Sequence, residues 1–373
     1  MNARQALTTL VATILTAAFA LPATAQTASF HGLGQMPGAM SGAGTFPQAI
    51  SADSSTIVGW AWVCPTGQPA CTSSGKTEAF RWTASGKYQV LGDLGSSIGS
   101  IAFATSANGS VVVGQAPPGT ASFGAFRWTA AQGMVAIPPP MLFAYAVTSD
   151  GAMAAGGDVW WNTSGQSGIF GPFPGNSDQT QAYGLTGTLQ NPVAVGAALR
   201  GSGPFGATNH AFRWTPAGGL QDLGLTTGDE SIALNISADG STIVGEARDA
   251  SGFWRAFRWT ASTGMQDIGT LGGPESVAYS VNKNGTVIVG TSLTSGSTGS
   301  DHAFRWTATT GMQDLRSVLQ AAGVHTADNW VSVDTASSVS ADGTVIAGFG
   351  LNQRTTKFPF GVWTPFRVVL PVP

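Results

Sequence analysis

Residues 276–315 read SVAYSVNKNGTVIVGTSLTSGSTGSDHAFRWTATTGMQDL and contain one complete copy of a unit that recurs along the chain. The pair Asn284-Gly285 stands between two apolar runs, which predicts a tight hairpin turn with positive φ. The run Thr286–Gly290 is rich in β-branched residues and predicts a buried strand. Alternation then places Phe304 and Trp306 on one face of a third strand, and a final short strand follows another turn. The unit is therefore predicted to be an antiparallel sheet of four strands.

Two anchors of this unit recur seven times when degraded copies are included. A turn anchor, first seen at Ser51–Gly59, precedes each copy of a Phe-Arg-Trp-Thr anchor. Degraded copies of the second anchor are assigned to Val159–Thr163 and Phe360–Thr364. The intervals, very roughly 40 to 58 residues, overlap those of propeller blades. The complete copies begin at Phe80, Phe126, Phe212, Phe257 and Phe304.

This repetition predicts an all-β, seven-bladed β-propeller built from seven four-stranded repeats. A solenoid is the competing architecture, but it would leave two uncapped ends with exposed aromatic faces. Closure of the ring has two alternatives. An N-terminal strand at residues 29–34 completes the last blade, or the tail Phe366–Leu370 takes that place.

The composition of the 373 residues limits the classes of function. Charged residues make up 9% of the chain and the net charge is −3, so no electrostatic footprint for nucleic acid is present. Hydrophobic residues at 43% are enough to fill a core, which excludes a disordered chain. The 51 glycines and the scarcity of Lys and Glu argue against a mostly helical protein.

The N-terminus reads as a targeting segment. Arg4 precedes an apolar run of about 14 residues, which is shorter than the roughly 20 that span a bilayer. A small-x-small pattern ending at Ala25 follows it. Residues 1–25 are therefore predicted to be a signal peptide, and 26–373 a single propeller domain without a transmembrane segment. The mature chain is expected to be secreted or periplasmic, and association with the cell surface stays open.

The two cysteines of the chain are Cys64 and Cys71, separated by a segment with Pro and Gly. In an exported protein this spacing predicts a small disulfide that closes one loop. A metal site would need two more soft ligands, which neither Cys nor a close His pair supplies, so none is expected.

With the anchors in place, the chain resembles a bacterial family of probable extracellular proteins named after its HAF repeat. The naming tripeptide stands at His210–Phe212 and His302–Phe304, next to Arg-Trp-Thr. The Gly-Met-Gln-Asp-Leu element and the Ser-Ala-Asp-Gly turn match the family's pattern, and Asp314–Gly348 resembles its terminal unit. The resemblance implies an exported repeat protein and carries no shared activity.

The repeated charged residues are predicted to be structural. The Arg of each Phe-Arg-Trp-Thr anchor is expected to pair with a turn Asp, and Asp53, Asp239 and Asp342 are expected to stabilise tight turns. Catalysis would instead need carboxylates outside the repeat pattern that converge in the channel. The sequence does not show which of them do. These are Glu78, Asp158, Asp178, Asp229, Glu230, Glu246, Asp249, Glu275, Asp301, Asp328 and Asp334.

The leading functional hypothesis is a non-enzymatic binding or scaffold role through the propeller loops, without a cofactor. The ligand would be a surface glycan, a polymer or a protein. Trp60, Trp62, Trp254 and Trp330 lie outside the repeat pattern and are candidate stacking residues, although packing between blades is the alternative for each ring. The rival hypothesis is an extracellular polysaccharide or polyester hydrolase or lyase with carboxylates in the central channel.

Overall fold

A computed structural model describes residues 27–40, 42–64, 75–174, 179–203, 206–296, 301–326, 330–352 and 361–371. Nearly all regular structure in these ranges is β, with one short helix, α1, at Leu315–Ala321. In chain order the strands are β1 (Ser29–Gly32), β2 (Thr45–Ile50), β3 (Thr56–Val63), β4 (Lys76–Thr83), β5 (Lys87–Val90), β6 (Ile101–Thr105), β7 (Val111–Gln115), β8 (Ala125–Thr129), β9 (Gly133–Ala136), β10 (Ala146–Val147), β11 (Met153–Gly156), β12 (Val159–Asn162), β13 (Ser167–Ile169), β14 (Thr180–Thr186), β15 (Val193–Gly203), β16 (Gly206–Thr215), β17 (Gly219–Asp222), β18 (Ser231–Ile236), β19 (Thr242–Arg248), β20 (Trp254–Thr260), β21 (Gly264–Asp267), β22 (Gly272–Val281), β23 (Ile288–Thr294), β24 (Asp301–Thr307), β25 (Gly311–Asp314), β26 (Thr335–Val339), β27 (Val345–Asn352) and β28 (Val362–Val369).

These strands form seven four-stranded antiparallel sheets arranged as a seven-bladed β-propeller, which confirms the predicted fold. Blades 1 to 6 each use four consecutive strands, beginning with β2, β6, β10, β14, β18 and β22. Blade 7 has the order β1-β28-β27-β26, so both ends of the described chain meet in one sheet. The first strand of every blade lines the central channel.

The ring is closed by the N-terminal strand, one of the two alternatives left open by the sequence. Strand β1 pairs with β28, with Ser29 opposite Val369 and Gly32 opposite Phe366.

The register of blade 7 also corrects the assignment of its degraded anchor. Phe366 lies opposite Gly348, just as Phe304 lies opposite Gly290 in blade 6. The degraded anchor of blade 7 is therefore Phe366–Val369 and not Phe360–Thr364, because register decides which residue takes the core position.

The anchor Phe is the main core residue of the blades. Its side chain is fully buried in six of the seven blades, whereas Val159 occupies the position in blade 3. Phe304 and Trp306 share one core cluster, as the alternation predicted. The six buried side chains are Phe80, Phe126, Phe212, Phe257, Phe304 and Phe366.

Close packing of the first strand against the second explains a glycine that recurs in every blade. In the second strand, this glycine lies so close to the first strand that an added Cβ would approach a backbone carbonyl oxygen to 1.9–2.1 Å. The first strand has a register shift at this level in six blades, which brings its backbone inward. Only glycine fits such an approach. The residues are Gly59, Gly114, Gly156, Gly196, Gly245, Gly290 and Gly348.

The turns between first and second strands are held by side-chain hydrogen bonds. In blade 5, the Ser237 hydroxyl donates to Asp239 Oδ1 at 2.6 Å, and the Ser241 backbone N–H donates to the same oxygen at 2.9 Å. Gly240 has φ +74°, as a tight turn requires. Asn108 and Asn284 replace the Asp in blades 2 and 6, and blade 4 lacks the arrangement. The predicted structural role of the turn Asp therefore agrees with its contacts.

Several predicted features fall wholly or partly outside the described residues. The signal peptide (1–25) lies outside them, as do Cys71 of the predicted disulfide and the carboxylates Asp178 and Asp328. Within the described ranges, no helix has the length and apolar character needed to cross a membrane.

Candidate binding site in the central channel

The two ends of the channel differ in the chain segments that surround them. We call one the turn end, because the turns between first and second strands lie there. The other end is the loop end. The segments that connect one blade to the next, and those that connect second to third strands, lie there. At the turn end, neighbouring turns are joined around the ring by hydrogen bonds of 3.0–3.2 Å. The donating residues are Asp53, Ala107, Ser149, Thr186, Asp239, Lys283 and Ala341.

The inward bulge of the first strand brings one residue per blade to the channel wall. In six blades this residue is skipped in the pairing with the second strand, and Tyr145 precedes the short β10 at the same level. The cavity that these residues line has a volume of about 570 Å³. Three of the chain's four tyrosines are among them. The seven residues are Gln48, Phe103, Tyr145, Tyr183, Leu234, Tyr279 and Ser337.

An aromatic arc crosses blades 2 to 4 along this wall. The ring centroids of Phe103 and Tyr145 are 5.0 Å apart, and those of Tyr145 and Tyr183 are 5.7 Å apart. Phe143 stacks on Tyr145 at 5.4 Å with an interplanar angle of 4°. Phe123 extends the arc to the surface, where 51% of its side chain is exposed. The arc gives a ligand at the loop end a continuous apolar surface with tyrosine hydroxyls on it.

Two of the predicted tryptophans belong to a second aromatic group, on blades 1 and 7. Trp60 contacts Phe46 at 4.7 Å and Trp62 at 6.2 Å between ring centroids, and Trp62 is 40% exposed. Phe46 in turn contacts Phe349, which lines the channel. Trp60 and Trp62 therefore lie at the loop end, on the blade next to the one where the arc begins.

The structure places the other two tryptophans elsewhere. Trp330 is only 7% exposed and contacts Phe30 and Phe366 in the core of blade 7, so it packs in the protein interior. Trp254 lies at the start of β20, with the Arg248 guanidinium 4.9 Å from its ring centroid. None of the four predicted tryptophans is among the residues that line the channel cavity.

Glu246 is the carboxylate most affected by this environment. Burial, followed by the negative charge of Glu275, raises the pKa of Glu246 to about 7. Burial, followed by the charges of Glu246 and Asp301, raises the pKa of Tyr279 to about 12. Burial, the Tyr145 hydroxyl and the Glu246 carboxyl also raise the pKa of Tyr183. Glu246 is thus electrostatically coupled to two channel tyrosines while it titrates near neutral pH.

Asp301 and Asp334 extend this acidic region into blades 6 and 7. Burial raises the pKa of both carboxyls, against the opposing effect of His302. Asp334 also accepts hydrogen bonds from the Ser332 hydroxyl and the Leu351 backbone N–H.

Other carboxylates at the loop end form ion pairs. Glu78 pairs with Lys76 at 3.1 Å, and Glu230 pairs with Arg248 at 2.9 Å. Among the described residues, no group of three or more His, Cys, Asp and Glu is placed to hold a metal ion.

The sequence included Glu246 among many carboxylates but could not single it out. A usable signal was its position directly after the repeated glycine, which differs in every blade: Trp60, Gln115, Gly157, Ala197, Glu246, Thr291 and Phe349. Residues that vary at one place in a repeat are free of the shared packing role. The channel tyrosines could not be identified in this way, because a bulge decides which residue turns inward.

The expected pairing of the anchor arginines with turn aspartates is wrong for the described residues. Arg81 Nε donates to the Gly109 carbonyl at 3.2 Å, and Arg127 Nε donates to the Gly151 carbonyl at 3.5 Å. Both carbonyls belong to the turn of the following blade. Arg81 and Arg127 therefore connect blades through backbone oxygens, whereas Arg258 Nε and Arg305 Nε are buried without a hydrogen-bond partner. The turn aspartates are already held by serine and threonine hydroxyls and backbone N–H groups.

The two HAF histidines make hydrogen-bond contacts with Asp residues at the ends of fourth strands. His210 Nδ1 lies 3.2 Å from Asp222 Oδ2, and His302 Nδ1 lies 2.6 Å from Asp314 Oδ2. Burial, followed by the positive charge of Arg200, lowers the pKa of His210. Both contacts join the third strand to the fourth within one blade, which is a structural role.

Comparisons with known proteins show the fold alone. The sequence matches no protein-family model, and no curated protein is significantly similar to it. The β-propeller domain of the Trilobed protease from Pyrococcus furiosus is similar with a TM-score of 0.53 at 8% identity, over 88% of this chain and 95% of that one. That propeller has an open velcro topology, whereas blade 7 here joins both ends of the described chain.

A more distant likeness is to TolB from Acinetobacter baumannii, with a TM-score of 0.46 at 12% identity over 69% of this chain. The chain spans 62% of the length of that TolB chain. Dipeptidyl peptidase 4 from Porphyromonas gingivalis gives a TM-score of 0.38 at 8% identity, over 82% of this chain and 57% of that one. At such identities the site has to be interpreted from its own residues.

Proposed function

We propose that the chain is an exported, non-enzymatic binding protein of the HAF-repeat type, which holds its ligand in the central channel. The observation that carries the proposal is the convergence of Tyr145, Tyr183 and Tyr279 on one cavity of about 570 Å³. Cavities of about 300–1,000 Å³ with aromatic walls and a few polar groups are typical of small-ligand sites. The ligand is a small molecule, or the end of a glycan, polymer or protein segment.

The site residues support binding in two ways. The faces of the arc residues offer apolar contact area, while the tyrosine hydroxyls offer hydrogen bonds that fix the orientation of a ligand. Trp60 and Trp62, at the loop end, would contact the part of a longer ligand that stays outside the channel. Tyr183 and Tyr279 lie on strands at bulges, and Tyr145 directly precedes β10, so the channel wall is largely preformed.

The test is a binding screen of the mature chain (26–373) against glycans, polyesters, peptides and small organic molecules. For any ligand found, we expect Tyr145→Ala and Tyr183→Ala each to weaken binding on the order of tenfold, because each removes an aromatic contact. The matched control is Phe253→Ala, which removes an exposed aromatic ring outside the channel. Unchanged affinity in the double tyrosine variant would place the ligand elsewhere and contradict the proposal.

A hydrolase or lyase is the second candidate, favoured by the raised pKa of Glu246 beside the charge of Glu275. A carboxyl that stays partly protonated at neutral pH next to an ionised one is the arrangement of a glycosidic acid–base pair. The same screen should therefore be assayed for released reducing ends or acids. Product that disappears in Glu246→Gln but persists in Glu78→Gln would support this candidate and overturn the binding proposal.

A further inference from the structure

We infer that a second cavity, at the turn end around blade 5, binds the phosphate group of a small polar molecule. This cavity has a volume of about 600 Å³, and none of the described residues lines both it and the channel. We call it the arginine pocket. A phosphate site there goes beyond the proposed channel function and does not depend on it. The polar wall residues that concern us come from three consecutive blades: Arg213, Gln221, Ser241, Arg258, Ser262 and Asn284.

The repeat explains why two arginines line one cavity. Each anchor arginine follows the buried Phe of its third strand, and Arg213 and Arg258 hold this position in the neighbouring blades 4 and 5. The turn before β19 contributes Ser241, and the turn after β20 contributes Ser262. The pocket is therefore walled by strands and tight turns, which the sheets hold in place.

Neither arginine is neutralised by a carboxylate. Among the described residues, Arg213 and Arg258 form no ion pair, and Arg258 Nε is buried without a hydrogen-bond partner. In blade 1, by contrast, Arg81 donates to the Gly109 carbonyl and the Thr56 hydroxyl. A buried donor without a partner is unfavourable, and an anion bound to the Arg258 guanidinium would offset that cost.

The rest of the wall favours an anion as well. No Asp or Glu is among the described residues that line the pocket. Asp239 is near in sequence, but its Oδ1 already accepts hydrogen bonds from the Ser237 hydroxyl and from the backbone N–H and hydroxyl of Ser241. Asn284 Oδ1 accepts from the Thr286 hydroxyl, which leaves the Asn284 NH₂ group as a donor, and Gln221 offers a second amide.

The turn end as a whole is positive. Its described acids are Asp53, Asp150, Asp239 and Asp342, each in a turn between a first and a second strand. Twice as many described basic residues lie in that half, as the strand directions require: Arg81, Lys87, Arg127, Arg213, Arg258, Lys283, Arg305 and Arg367. This excess attracts anions over a distance of about 8–10 Å at ordinary salt.

The number of donors favours phosphate over carboxylate. A phosphate monoester carries a charge of about −1.5 to −2 at neutral pH on three terminal oxygens, which is enough for two guanidinium groups. A carboxylate has one charge and two oxygens, so it would leave one arginine unpaired. The volume of about 600 Å³ also leaves room for an organic group, and the hydroxyl and amide groups of the wall suit a sugar.

The test compares ligands that differ in their charged group. Titration calorimetry at pH 8 and low salt uses glucose 6-phosphate, glucose, glucuronate and inorganic phosphate. We expect glucose 6-phosphate to bind, glucuronate to bind on the order of tenfold more weakly, and glucose not to bind measurably. Tighter binding of glucose 6-phosphate than of inorganic phosphate identifies an organic phosphate as the ligand, whereas equal affinity identifies free phosphate.

Variants locate the phosphate. Arg213→Gln and Arg258→Gln should each weaken binding on the order of tenfold, whereas Arg81→Gln, at the same repeat position in blade 1, should not. Ser262→Asp leaves the anchors intact and adds a negative charge in an exposed turn of the pocket, so it should weaken binding on the order of tenfold. Ser85→Asp, at the same turn position of blade 1, is its matched control. Urea unfolding of each variant shows whether the fold is kept.

Three results would overturn the inference. The first is that neither phosphate binds, and the second is that glucuronate binds as tightly as glucose 6-phosphate. The third is phosphate binding that is unchanged in both arginine variants and in Ser262→Asp, because the anion would then lie elsewhere. Tyr145→Ala should leave phosphate binding unchanged, so the arginine pocket and the channel are tested separately; loss of phosphate binding in that variant would place the anion in the channel and contradict the inference.

Discussion

Burial of Glu246 lowers the free energy of unfolding at a pH where its carboxyl is ionised. Its carboxyl is mostly buried on β19 near Tyr183 and Tyr279, and its pKa is about 7 instead of 4.5. Ionisation of this carboxyl is therefore less favourable in the folded protein than in the unfolded chain. This penalty is absent below about pH 4.5, grows through the range up to about pH 7, and is complete above it.

Replacement by the neutral isostere should remove that penalty. We expect Glu246→Gln to raise the free energy of unfolding at pH 8 by up to about 3 kcal/mol, and to have little effect at pH 4. Urea unfolding followed by tryptophan fluorescence at both pH values measures this difference. An equal effect at the two pH values, or a loss of stability at pH 8, would contradict the environment assigned to Glu246.

Single residues were also where the sequence was least informative about the site. Trp60 and Trp62 lie outside the repeat pattern, and the structure places both at the loop end. Trp330 shares that sequence property but is buried, because it packs in one core cluster with Leu319 of α1 and Phe366 of blade 7. Departure from a repeat shows that a residue lacks the shared role, but not which surface it faces.

At the level of the strand, the repeated glycine and the bulge opposite it together allow the first and second strands to pack closely. An alanine at Gly245 would place its Cβ 2.0 Å from the Ile232 carbonyl oxygen, which forces the first strand of blade 5 toward the channel. We expect Gly245→Ala to cost at least about 3 kcal/mol of unfolding free energy. The variant should also weaken any channel ligand, because Leu234 and its neighbours would shift.

Gly264 in the same blade is the matched control. It has φ +68° with open space around its Cα, so Gly264→Ala should cost only about 1–2 kcal/mol from backbone strain. Thermal and urea unfolding of the two variants would test the difference. Similar losses at both positions would show that backbone conformation, and not the close approach of two strands, explains the repeat of glycine.

Strands were predictable because their signals are local. The Asn-Gly turn, the β-branched second strand and the alternating third strand each depend on neighbours in sequence. The bulge was not predictable, since it arises from packing between the first strands of different blades around the channel. The assignment of the blade 7 anchor to Phe360–Thr364 was wrong because its Trp-Thr matches the repeat locally. The pairing of β28 with β27 instead puts Phe366 in the core position.

For the whole molecule, the important contact is the one that closes the ring. Phe30 of β1 packs against Trp330 at 5.0 Å and Phe366 at 5.4 Å between centroids. We expect Phe30→Ala to lower the free energy of unfolding by about 2–3 kcal/mol. It should also promote aggregation, because a loosened β1 exposes the edge of β28.

The control for this prediction is Phe253→Ala, where a ring that is 43% exposed should be lost with little effect. Comparison of melting temperatures and light scattering for the two variants makes the test. If Phe30→Ala matches Phe253→Ala in both measurements, β1 is not needed to hold the ring closed.

The number of blades followed from counting the recurring anchors. What the sequence could not decide was which end completes blade 7, because both candidate segments are short and apolar. The register resolves this, since Phe366–Val369 already occupies the third strand and leaves the outer edge for β1.

The pairing of Ser29 with Val369 places the two ends of the ring where a short turn could join them. These residues correspond to Lys87 and Thr83 in blade 1, which are joined there by the turn at residues 84–86. A comparable three-residue bridge from 369 to 29 would make the backbone circular without moving a strand. The chain could then be opened between any two blades, which would yield permutants with seven uninterrupted repeats.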